Sequence, residues 1–136
     1  MDISIFKKNG VDNYKLKQIK SDASFRKYFR VIRENNHKKL LLVLSPNKTE
    51  NNFGYLKTNK ILEKMNLSVP EIIDADISKG IFLIEDFGIN TYTNCLKQGE
   101  SEQKLYNLAT RILIYINEHS KFLKKKLPEY TKKKIY

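Results

Sequence analysis

Small hydroxyls, a turn-forming acid and arginines fall together in Ser21-Asp22-Ala23-Ser24-Phe25-Arg26-Lys27-Tyr28-Phe29-Arg30-Val31. Ser and Asp side chains bond their own backbone in turns and leave nearby amides facing outward, so a loop of this kind can cradle an anion. Arg26, Lys27 and Arg30 add fixed positive charge beside those amides. A phosphate is the anion that such a turn suits. A second segment, Gly80-Ile81-Phe82-Leu83-Ile84-Glu85-Asp86-Phe87-Gly88, is an apolar run too short for a membrane span that ends in two acids and a glycine. It reads as a buried strand emerging into a connector.

Composition narrows the remaining chemistry. Cys95 is the single cysteine, so no disulfide framework exists, and with only His37 and His119 beside it no Cys/His zinc cluster is available. No histidine lies near Cys95 in sequence to serve as its base, and it reads as a buried or half-buried thiol. Every aspartate (Asp2, Asp12, Asp22, Asp74, Asp76, Asp86) lies at or before position 86, and neither histidine is followed two residues later by Asp. There is no transmembrane run, and Met1-Asp2-Ile3-Ser4 lacks the basic start of a secretory signal. A cytoplasmic location and no membrane partner are expected.

The net charge of +11 raises nucleic acid as a partner, and its placement argues against one. Residues 121–136 carry seven lysines against Glu129 alone, and only four of the 26 cations are arginine. Nucleic-acid surfaces more often interleave arginine with aromatics on one face, whereas a lysine run is a solvated segment.

These residues need elements to hold them. The pattern predicts a short helix over Ile3 to Lys8 stopped at Gly10, then strands over Tyr14 to Lys20, Arg26 to Arg33 and Lys39 to Ser45, the last two joined across Glu34 to Lys38. Leu40-Leu41-Leu42-Val43-Leu44 is apolar on both faces and should be central. A helix is expected from a Thr49 N-cap to about Met65, with Thr58, Ile61, Leu62 and Met65 on one face. Two more strands, Glu71 to Ala75 and Gly80 to Glu85, follow Pro70 and flank the turn Asp76 to Lys79. Thr91 to Gln98 reads as a short helix, and Ser101 to about Phe122 as a long one with Leu105, Leu108, Ile112 and Ile116 facing a core and His119 near that face.

Taken with Val69-Pro70-Glu71-Ile72-Ile73 between them, the two segments resemble the N-terminal lobe of the aminoglycoside phosphotransferase-like kinases, in the branch that phosphorylates cell-wall amino sugars such as N-acetylmuramate and N-acetylglucosamine. The resemblance runs from about Lys15 to Tyr130 and implies an α+β, protein-kinase-like fold. In it a five-stranded antiparallel sheet with one packed helix occupies residues 1–88, and the first helices of an incomplete C-lobe occupy residues 89–136. It implies ATP as ligand, with Ser21, Asp22, Ala23, Ser24, Phe25 and Arg26 at the phosphates and backbone groups of Glu85, Asp86, Phe87 and Gly88 at the adenine edge.

One feature departs from that pattern: the third strand, centred on Leu42 and Val43, lacks the lysine that such kinases pair with a helix carboxylate, leaving Arg26 or Lys27 to replace it or the backbone to hold the phosphates. Magnesium and the sugar substrate belong to the intact enzyme, whose His-x-Asp loop and later Asp motif are absent here. The expectation is therefore an N-terminal fragment of a sugar or amino-sugar phosphotransferase, inactive alone. The alternatives are a stand-alone regulatory pseudokinase lobe or a basic nucleic-acid-binding protein.

Overall fold

A computed structural model describes residues 4–20, 24–34 and 38–120. Ser21, Asp22, Ala23, His37 and the lysine-rich residues 121–136 lie outside the described residues. The architecture is α+β, in the order α1 (Ser4–Lys8), β1 (Tyr14–Ile19), β2 (Lys27–Arg33), β3 (Leu40–Leu44), α2 (Asn52–Lys64), β4 (Ile72–Asp76), β5 (Ile81–Glu85), α3 (Tyr92–Lys97) and α4 (Glu102–Ser120). The chain divides into two compact units, Met1–Leu56 with Val69–Gly88 and Lys57–Ser68 with Ile89–Tyr136. The first turn of α2 belongs to the former and the rest of that helix to the latter.

The first unit is built on one antiparallel five-stranded sheet in the order β1-β2-β3-β5-β4. Because side chains alternate across a strand, the wholly apolar β3 and the Ile81 to Ile84 run of β5 supply two cores. Leu40, Leu42 and Leu83 join Val31, Ile5, Phe6 and Val11 in one cluster, and Val43, Phe82 and Ile84 form another with Tyr28, Leu41 and Leu56 packed against them. β3 is central, as its two-sided hydrophobicity requires.

The five-residue α1 is too short to be stable alone and is held by tertiary contacts. The Phe6 ring packs at a tilt on Tyr14, centroids 4.2 Å apart, and the left-handed Gly10 (φ 62°) ends the helix and turns the chain so that Val11 donates back to the Phe6 carbonyl. Asn9 Nδ2 (2.8 Å) and Lys8 Nζ (3.0 Å) both reach the Asp74 carboxylate on β4. These contacts hold that carboxyl below the usual carboxylate range, the Lys8 and Asn9 bonds outweighing partial burial.

α2 starts later than the sequence reading places it. Thr49 lies in a turn, its N–H donating to the Pro46 carbonyl, and the cap is Asn51, whose Oδ1 accepts from Gly54 N–H at 2.7 Å. The helix ends at the left-handed Asn66 (φ 57°), with Ile61 and Met65 buried.

In the second unit, Thr91 caps α3 by accepting from Asn94 N–H. Tyr115 of α4 donates its hydroxyl to the Met65 carbonyl at 2.9 Å and stacks on His119 at 3.8 Å. The expected core face of α4 is largely uncovered. Leu105 and Ile116 are half-buried, while Leu108 and Ile112 are exposed together with Tyr106, Leu113 and Ile114, and no residue of the helix is fully buried. His119, exposed, is occupied with the Tyr115 carbonyl and ring. Cys95 is half-buried. Among the described residues no helix is long and apolar enough to cross a membrane.

Candidate anion site and connector clamp

Of the sequence-predicted turn, Ser24, Phe25 and Arg26 lie within the described residues, and Ser24 and Arg26 converge on a carboxylate that sequence reasoning missed. Ser24 Oγ accepts from the Arg26 backbone N–H at 3.1 Å and donates to Glu50 Oε1 at 3.2 Å. Arg26 Nη2 pairs with Glu50 Oε2 at 2.8 Å, both side chains being less than one-fifth exposed. Arg26 Nε donates to Ser45 Oγ at 3.1 Å, and the guanidinium lies over the Tyr55 ring, 5.1 Å from its centroid. Nη1 has no partner among the described residues. Phe25 is 66% exposed.

Burial pushes the Tyr55 hydroxyl above its ordinary value, helped by nearby Tyr28 and opposed by Arg26. Tyr55 stays neutral at working pH and packs on Phe82 at 5.6 Å, anchoring the start of α2 beside Arg26.

Val43, at the centre of β3, pairs with Tyr28 on β2 and Phe82 on β5 and belongs to the apolar core. Arg26 lies just before β2, and Glu50, the carboxylate it pairs with, just before α2. An acid at the start of a helix was the signal available for Glu50.

The Glu85–Gly88 connector is tied down by its own hydrogen bonds. Glu85 N–H donates to the Glu71 carbonyl and Asp86 N–H to the Lys39 carbonyl, both at 2.9 Å, and Gly88 N–H donates to Asp86 Oδ1 at 2.7 Å. The Asp86 side chain is 2% exposed and is clamped by Arg30, whose Nε and Nη2 both donate to the carboxylate. The same Nη2 donates to the Gly88 carbonyl at 3.0 Å. Gly88 adopts φ 85°, which lets the chain turn inside this clamp. Burial alone would raise the Asp86 carboxyl, but the hydrogen bonds from Arg30 and Gly88 outweigh it and hold it below the usual range. The Arg30 guanidinium is raised in turn by its hydrogen bond to Asp86, against the opposing effect of burial.

Asp86 and Arg30 are therefore committed to one another. Of the four connector residues, only Phe87 has an amide without an intramolecular partner among the described residues, and its ring is 57% exposed. No group of three or more His, Cys, Asp or Glu side chains that could hold a metal ion occurs among the described residues.

Comparison with known proteins places these features in context. The chain is 31% identical over 83 residues to the N-acetylmuramate/N-acetylglucosamine kinase of Pseudomonas aeruginosa, and 30% identical over 86 residues to that of Neisseria meningitidis serogroup B. The matched segments are 61% and 62% of this chain but 24% and 25% of those kinases, so the chain spans about a quarter of the length of the curated relatives it matches. No family model matches, and no solved structure matches. The low-identity similarity is to sugar kinases and indicates a kinase-like relationship.

Proposed function

We propose that this chain carries the nucleotide-binding part of an ATP-dependent phosphotransferase acting on a sugar or amino-sugar hydroxyl. In this reading residues 1–88 are a kinase-like N-lobe and residues 89–136 begin a helical C-lobe. The observation that carries the reading is the connector: the amides of Glu85, Asp86 and Gly88 are satisfied internally, and that of Phe87 has no partner among the described residues. A rigid segment presenting one unpaired donor suits the edge of an adenine ring.

Phosphoryl transfer asks little covalent chemistry of a protein and depends on positioning and charge stabilisation. The tasks assigned to this chain follow from that. Ser24 and Arg26, with Ser21, Asp22 and Ala23 preceding them, receive the phosphates, and Arg26 offers Nη1 while Glu50 and Ser45 fix the rest of its guanidinium. Glu50 plays toward Arg26 the part that a helix carboxylate plays toward the strand lysine of kinases. Magnesium, when bound, neutralises charge on the transferring phosphoryl group. Its ligands, the carboxylate that aligns the acceptor hydroxyl, and the residues that select the sugar are assigned to the remaining three quarters of an enzyme such as the relatives. ATP supply fits a cytoplasmic site of action.

Hydrogen exchange of the 136-residue chain with and without ATP tests the reading. ATP should slow exchange at the Phe87 amide most, and adenosine should do the same at higher concentration. Unchanged exchange at Phe87 under saturating ATP would remove the assignment.

A further inference from the structure

We propose that Ser45, held in turn by Asn52, is a positioning residue that aims Arg26 at the nucleotide phosphates; this rests on the phosphate reading above and adds to it the buried machinery that sets the cation. Ser45 is 2% exposed and Asn52 4% exposed, and they are two of the three buried polar or charged residues among the described residues. Two buried polar groups facing each other between the end of β3 and the start of α2 are costly unless every hydrogen bond is made.

They are made, and in one direction. Arg26 Nε donates to Ser45 Oγ, the Ser45 hydroxyl donates to Asn52 Oδ1, and Asn52 Nδ2 donates to the Ser45 carbonyl (2.9 Å) and to Asn47 Oδ1 (2.6 Å). Each bond in such a chain polarises the next. The hydroxyl proton is committed to Asn52, which turns a Ser45 lone pair toward Arg26. A serine free to rotate would not offer that acceptor consistently.

The anchor beneath this chain is backbone. Ser45 N–H donates to the Gly80 carbonyl at 2.7 Å, and Gly80, at φ 66°, approaches so closely that a Cβ there would lie 1.9 Å from the Ser45 carbonyl oxygen. The end of β3, the start of α2 and the turn before β5 thus meet at Ser45. Glu50 holds Nη2 from one side and Ser45 holds Nε from the other. With two of its three nitrogens fixed, the guanidinium plane is set and Nη1 points in one direction.

The test is a double-mutant cycle on the 136-residue chain, with ATP and adenosine as probes. Ser45→Ala should weaken ATP binding about tenfold, the scale of one hydrogen bond to a charged group, and leave adenosine binding unchanged. In an Arg26→Ala background Ser45→Ala should have no further effect, because nothing remains to be aimed. Ser45→Thr, which keeps the hydroxyl, should restore ATP affinity. If Ser45→Ala does not fold, Ser45→Cys keeps the shape and replaces a strong acceptor with a weak one, and the same pattern is expected.

Equal losses for ATP and adenosine, or a Ser45→Ala loss that persists without Arg26, would show a merely structural serine and overturn the proposal. If Arg26→Ala weakens ATP binding and Ser45→Ala does not, the positioning role alone falls. Should Arg26→Ala bind ATP as the parent chain does, the phosphate reading fails and the positioning role with it.

Discussion

Arg30 on β2 and Asp86 beyond β5, 56 residues apart in sequence, form an ion pair whose acid is almost completely removed from water. The pair fastens the connector to the sheet, so the geometry of the proposed adenine-binding segment depends on a strand three places away in the chain order. Removing one partner of a buried pair leaves an uncompensated charge and costs about 3–5 kcal/mol. Arg30→Met should therefore destabilise the first unit by about that amount in urea unfolding. Asp86→Asn, which leaves a polar acceptor for Arg30, should cost less, about 1–3 kcal/mol. Equal stability of Arg30→Met and the parent chain would show that the pair does not hold the connector.

The same clamp dictates a pH dependence. Asp86 and Asp74 both have carboxyl groups held below their ordinary range in the folded chain. Near the ordinary carboxylate value of about 4, the unfolded chain takes up protons that the folded chain resists. Their contribution is complete above that value and is lost as pH falls through the depressed folded values. Unfolding midpoints measured from neutral pH downward should fall on the acid side, and the fall should be shallower in Asp86→Asn. An identical acid limb in the variant would remove Asp86 from the account.

Two glycines give a matched pair of substitutions. Gly80 (φ 66°) and Gly10 (φ 62°) share the left-handed conformation, but a Cβ at Gly80 meets the Ser45 carbonyl at 1.9 Å whereas one at Gly10 meets nothing within 4 Å. Gly10→Ala should show only conformational strain, about 1–3 kcal/mol. Gly80→Ala should cost clearly more, because backbone must move. Comparable urea midpoints for the two variants would contradict this.

Replacing Ser24 and Arg26 together by alanine should lower ATP affinity by about one to two decades, the value of a charge-assisted contact, and leave the far-ultraviolet dichroism of the sheet intact. Titration of ATP against the variant checks this, and unchanged affinity would remove the phosphate assignment.

The uncovered face of α4 should make the isolated chain bind apolar dyes and self-associate. Leu108→Gln with Leu113→Gln should reduce both, with a stability change within about 0.5 kcal/mol because both side chains are exposed. Sedimentation of the parent chain as a dye-negative monomer would contradict the expectation.

The strands were legible because their signals are local: Leu40 to Leu44 is apolar at every position, and Gly80 and Pro70 mark the entries to the fifth and fourth strands. The start of α2 was misplaced because Thr49 and Asn51 are both good caps, and only the hydrogen bond to Gly54 decides between them. The apolar face of α4 was legible from its period, although periodicity shows which side of a helix is apolar and not whether anything covers it. In the candidate site, Arg26 and the connector stood out by residue type. Glu50, Ser45 and Asn52 did not, since their roles arise from where β2, β3 and α2 meet. The Arg30–Asp86 pair was hidden likewise, because it depends on β3 lying between β2 and β5.

The two borders of the sheet set how this chain can fail. β1 carries Lys15 and Lys17 along its free side, and β4 carries Asp74 and Asp76, a register irregularity between Ile72 and Asp74, and the hydrogen-bonded contacts from Lys8 and Asn9. Charged side chains and bulges of this kind block strand-to-strand growth. Strand-to-strand association of the folded chain is thereby disfavoured at both borders.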